Sequence, residues 1–75
     1  MKTRIMNMEQ TLEQMTDQVI YEVMLEERPA LVQAVAGALK LGQTPAQIER
    51  TMRQRSGNIQ MVRNVRHIAE HLARQ

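Results

Sequence analysis

Apolar residues recur along the first third of the chain at intervals of three and four: Ile5, Met8, Leu12, Met15 and Val19. That spacing forms one face of an α-helix, with Glu9, Glu13 and Asp17 on the opposite side. Val23 and Met24 extend the stripe, so the pattern predicts a helix over about residues 8–27. Two heptads do not define a coiled coil, but they do define a helix that needs a partner surface.

Arg28-Pro29 ends this segment. Proline disfavours helical geometry in the residue before it and suits the first turn of a new helix. The second helix is predicted over 29–41, reading PALVQAVAGALKL. A helix apolar on nearly all sides is expected to be central and buried, and Gly37 is expected to admit a neighbouring helix at close range. Gly42 suits the left-handed residue that ends a helix. Thr44, Pro45 and Gln47 then have the spacing of a capping box with proline at the first helical position. A third helix over 45–55 would bury Ile48 and Met52. Ser56-Gly57-Asn58 stops it and caps a fourth over 59–73, expected to bury Ile59, Val62, Val65, Ile68 or Ala69, and Leu72. There is no strand pattern, so the expected fold is all-α, a small bundle of four helices.

Composition adds a constraint. Seventy-five residues make one domain, with no Cys, Trp or Phe, and Tyr21 is the one aromatic residue. Disulfides and thiolate metal sites are excluded, and the core is left to Met, Leu, Ile, Val and Ala. So small a core gains most from oligomerisation. A homodimer is expected, joined through Met8, Leu12, Met15, Val19 and Val23. The basic start lacks the continuous apolar stretch of a signal peptide, and the longest apolar run, 34–39, is far short of a bilayer span. A cytoplasmic protein without membrane contact is the expectation.

Charge divides the chain. Residues 1–27 carry two basic and six acidic side chains, a net −4, and residues 28–75 carry eight basic and two acidic, a net +6. The single domain thus reads as an acidic amphipathic helix (1–28) joined to a basic three-helix unit (29–75). Either the basic part meets an anionic partner, or the two halves neutralise each other.

Residues 38–55 resemble the helix-turn-helix signature of bacterial regulators. Ala38 lies four before the turn Gly42, Thr44 lies two after it, and Ile48 and Met52 follow at six and ten. Gln43 and Lys40 stand where that family often has apolar residues. The resemblance implies that 45–55 is a recognition helix in the major groove. Gln47, Arg50, Arg53 and Gln54 would then face bases, and Arg55, Arg63 and Arg66 the phosphates. The simpler alternative is a solvated face with Glu49 and Arg53 as an ordinary i,i+4 pair. From Gly42 to Leu72 the chain also resembles the ubiquitin-associated three-helix module. Ser56-Gly57-Asn58-Ile59 opens its last helix, and Gln43 again replaces an apolar residue of the binding patch.

Other chemistry finds little footing. His67 and His71 are four apart, but two imidazoles do not complete a metal site, and no metal or cofactor is assigned. Glu70 is placed to pair with Arg66 and Arg74. There is no Cys nucleophile, phosphate loop or Ser/Thr–His motif, and Glu22 with Glu26 reads as exposed like charges, so no catalytic residue is assigned. The expected function is DNA binding by a homodimeric, helix-turn-helix-like regulator. The alternative is a non-enzymatic protein-interaction module, adaptor or inhibitor, using the acidic or Met-rich helix. In the first case Arg50, Arg53, Arg63 and Arg66 stand free. In the second they pair with Glu9, Glu13, Asp17 or Glu22.

Overall fold

The turn signals fall where the helices end. In the computed structural model, which describes the backbone of residues 2–75 and the side chains from Thr11 onward, four α-helices follow in order. They are α1 (Lys2–Glu27), α2 (Pro29–Lys40), α3 (Pro45–Arg55) and α4 (Ile59–Ala73), with no strand among the described residues. The side chains of Ile5, Met8 and Glu9 lie outside the described ones.

A single residue joins α1 to α2. Arg28 has φ −141°, the extended backbone that a following proline favours. Its N–H donates to the Met24 carbonyl (2.7 Å), and its own carbonyl accepts from Leu31 and Val32 N–H. No backbone group of the hinge residue is wasted.

The hub of the fold is α4, which contacts the other three helices. Val65, Ile68 and Ala69 are fully buried, and around them close Met24 of α1, Val32 and Val35 of α2, and Ile48 of α3. Both residues left as alternatives, Ile68 and Ala69, are therefore inside. This corrects the expectation that α2 is central. Only Val32 and Val35 are buried there, while Ala30, Gln33 and Ala34 are exposed. Alanine explains the difference: it reads as apolar, yet it exposes so little carbon that a solvent-facing alanine costs little and favours the helix.

Two smaller expectations also change. A Cβ added at Gly37 would meet nothing within 4 Å, so this glycine admits no close neighbour. Ile59 opens α4 in solvent at 70% exposure, and burial along this helix begins with Met61 and Val62.

Helix α1 packs on α4 through Asp17, Ile20, Tyr21 and Met24. From Thr11 to Thr16 every side chain is exposed, and Asp17 is the first buried one among the described residues. The acidic face is therefore not wholly a solvent face. Asp17 is drawn into the α1–α4 contact.

Candidate nucleic-acid interface

The corner between α2 and α3 is built by local rules. Gly42 has φ +92°, a left-handed conformation that side chains with a Cβ rarely adopt. Gln43 N–H donates to the Ala38 carbonyl (3.1 Å) and Gly42 N–H to that of Leu39 (3.0 Å), the paired bonds of a Schellman motif. The next helix then starts at a complete capping box. Gln47 N–H donates to Thr44 Oγ1 (3.2 Å), and Thr44 N–H donates to Gln47 Oε1 (2.9 Å). At the other end, Asn58 caps α4 by accepting from Met61 N–H, and Ser56 Oγ accepts from Asn58 N–H.

This corner aims α3. Ile48 is buried against α4 and Met52 packs beside it, so the opposite strip faces outward. That strip, Ala46, Gln47, Arg50, Thr51 and Gln54, is exposed and contains no carboxylate. Arg50, Gln47 and Thr51 line a shallow depression together with Gln43 of the turn.

The seven residues expected to bind nucleic acid divide into two groups. Arg50, Gln54, Arg55 and Arg63 are exposed and have no ion pair among the described residues. The other three are engaged within the fold. Gln47 gives its side-chain oxygen to the capping box. Arg53 pairs with Glu49 at 3.1 Å while remaining 69% exposed. Arg66 is held hardest, by Glu49 at 2.7 Å and Glu70 at 2.8 Å. The Glu70 hydrogen bond, with Glu49 behind it and against partial burial, raises the Arg66 pKa further above its ordinary value. Arg66 thus ties α3 to α4, and its guanidinium is already spent on two carboxylates.

Among the described residues none of these arginines pairs with α1. The acidic helix instead supplies Asp17, buried between His67 Nδ1 (2.7 Å) and the Arg74 guanidinium (2.5 Å). Arg74 therefore binds Asp17 and not Glu70, which leaves Glu70 to Arg66. His71 stacks its ring at a tilt on Tyr21, with centroids 4.6 Å apart, and shares a 3.0 Å hydrogen bond with Gln75. The two histidines thus serve different contacts, and among the described residues no group of three His, Asp or Glu side chains could hold a metal ion. Sequence reasoning missed the linking roles of Asp17, Glu49, His67 and Arg74. Only Glu49–Arg53 and Arg66–Glu70 carried a local i,i+4 signal.

The stripe expected to form a dimer interface is bare in the single chain. Leu12, Met15 and Val19 are 58%, 56% and 56% exposed, and Val23 is 42% exposed. Among the described residues no helix is long and apolar enough to cross a membrane. Comparison with protein families, characterised proteins and solved structures found no match to this chain.

Proposed function

We propose that this chain is a non-enzymatic nucleic-acid-binding module, a helix-turn-helix-like regulator that presents the outward face of α3 to duplex DNA. The observation that carries this reading is the strip Gln47–Arg50–Thr51–Gln54: exposed, free of carboxylates and set off by a tight, fully capped corner. A major groove admits one α-helix, and Arg and Gln are the side chains that bond guanine and adenine edges in bidentate fashion. Arg50 and Gln54 have both nitrogens and geometry to spare. Arg55 and Arg63 flank the strip as phosphate contacts, and Arg53 can join them by exchanging Glu49 for a phosphate. Arg66 is left out of the binding set, because leaving two carboxylates unpaired would cost what a phosphate returns.

The test is a titration of random-sequence duplex followed by fluorescence anisotropy at about 50 and 200 mM salt, with each phosphate contact adding about −0.9 to the log–log salt slope. Wild type should bind with a steep slope and Arg50→Ala/Arg63→Ala should lose most of the affinity. Equal binding by both proteins, or a flat salt response, would remove the nucleic-acid reading. The exposed apolar stripe of α1 favours a second reading, a protein-interaction module in which α1 carries the function and α3 is merely a solvated face.

A further inference from the structure

Four of the bare apolar positions of α1 form one strip, and Leu25 lies off it. At 3.6 residues per turn, Leu12, Met15, Val19 and Val23 fall within about 80° of one another. The residues packed on α4, namely Asp17, Ile20, Tyr21 and Met24, centre roughly 145° away. Met15, Val19 and Val23 therefore point away from the body of their own chain, while Leu12 edges a cleft shared with Arg66, His67 and Glu70 of α4. In sequence the strip continues to Met8 and Ile5, which gives a and d heptad positions at 5, 8, 12, 15 and 19, with Glu22 and Glu26 next in the same register. The side chains from Thr11 to Thr16 are all exposed, and short isolated helices are marginal in water.

We infer that a second copy of this chain covers the strip, with the two α1 helices antiparallel. Charge decides both the occupant and its direction. Lys2 and Arg4 are the positive charges of α1 and stand at its start, whereas Glu22, Glu26 and Glu27 crowd its end. A parallel pair would set Glu22 against Glu22 and Glu26 against Glu26 within the seam. An antiparallel pair brings the acidic end of each helix beside the basic start of the other. It also relieves carboxylates that sit at the negative end of their own helix dipole. Of the positions flanking the strip, Thr11, Thr16 and Gln18 are uncharged, while Glu9, Glu22 and Glu26 place carboxylates beside or within its register.

The register follows from matching a positions to d positions. Leu12 lies against Met15 of the other copy, and Met8 against Val19. The two-fold axis then passes between Glu13 and Gln14. This interface is distinct from the α3 face and holds whether or not α3 meets nucleic acid.

The chain has no cysteine, so introduced ones report cleanly. In the antiparallel register Val19 faces Met8, while two copies of Val19 stand about 16 Å apart along the axis. That exceeds the roughly 7 Å Cα separation a disulfide tolerates. Mixed Val19→Cys and Met8→Cys proteins are therefore expected to form a cross-linked dimer on mild oxidation, and neither alone should. Sedimentation should give a wild-type dimer, and Leu12→Glu/Met15→Glu should give a monomer that keeps its helical circular dichroism. A monomeric wild type overturns the inference. So does a Val19→Cys protein that cross-links to itself, the parallel outcome, or a dimer in which the mixed pair fails to cross-link.

Discussion

Asp17 of α1 and His67 of α4, fifty residues apart, share a 2.7 Å hydrogen bond in which the imidazole Nδ1 donates to the carboxylate. Arg74 holds the other carboxylate oxygen, so one buried acid fastens α1 both to His67 of α4 and to the residue that caps that helix about two turns later. A carboxylate in that position has given up water for two charge-capable donors, and removing it leaves both donors without their partner.

Asp17→Ala is accordingly expected to lower stability by about 1–3 kcal/mol, read as a shift in urea midpoint at constant slope. Arg74→Ala should cost less, about 1 kcal/mol or under, because Arg74 is more than a third exposed and water screens the pair. Equal losses would mean that the arginine, not the burial of the acid, governs the contact.

Two isoleucines of α4 offer a control for the core. Ile68→Ala empties a fully enclosed position and should cost about 2–5 kcal/mol. A chain of this length has about 4–11 kcal/mol in all, so the variant should be near the limit of folding at ambient temperature. Ile59→Ala, at a 70% exposed site, should change stability by less than about 0.5 kcal/mol. Thermal melts followed at 222 nm would separate the two.

The glycines should respond in opposite directions. Gly42→Ala forces a side chain into left-handed backbone and should cost about 1–2 kcal/mol. Gly37→Ala meets no atom and should gain up to about 1 kcal/mol from helix propensity. Thr44→Ala removes one acceptor of the capping box and should cost about 1 kcal/mol. Denaturant titrations of the three variants would check all the signs.

Glu49 restrains the basic face through both Arg53 and Arg66. Glu49→Gln should free Arg53, tighten duplex binding severalfold and steepen its salt slope by about 0.9 if one phosphate contact is gained. Arg66 should stay bound to Glu70. Its pKa lies higher in the folded chain than in the unfolded one, so its contribution to stability is complete below the unfolded value and is lost only as pH rises through the folded one, in strong alkali. Salt-dependent anisotropy and a stability profile that shows no loss attributable to Arg66 at neutral to mildly alkaline pH would test both statements.

Local chemistry made most of the helix boundaries legible. Pro29, the Gly42–Thr44–Gln47 corner and Asn58 each act within a few residues of themselves, so their effects can be read without knowing the rest of the fold. The choice of central helix was not legible, because α2 and α4 are both rich in apolar residues and only packing distinguishes exposed alanines from enclosed branched side chains. Of the residues proposed to meet nucleic acid, Arg50 and Arg63 lie in the open as their spacing on helix faces suggests. Arg66 and Asp17 are committed to partners on other helices, Glu49 and His67, which no short-range pattern could reveal.

Because α4 follows the three helices it unites, the centre of their shared core is made only after all three of them. While the ribosome is still adding Val65, Ile68 and Ala69, the buried faces of Met24, Val35 and Ile48 have no completed partner surface. Folding of the four helices then waits for α4, and chains truncated within it should lack the centre of the core and go to proteolysis as a class.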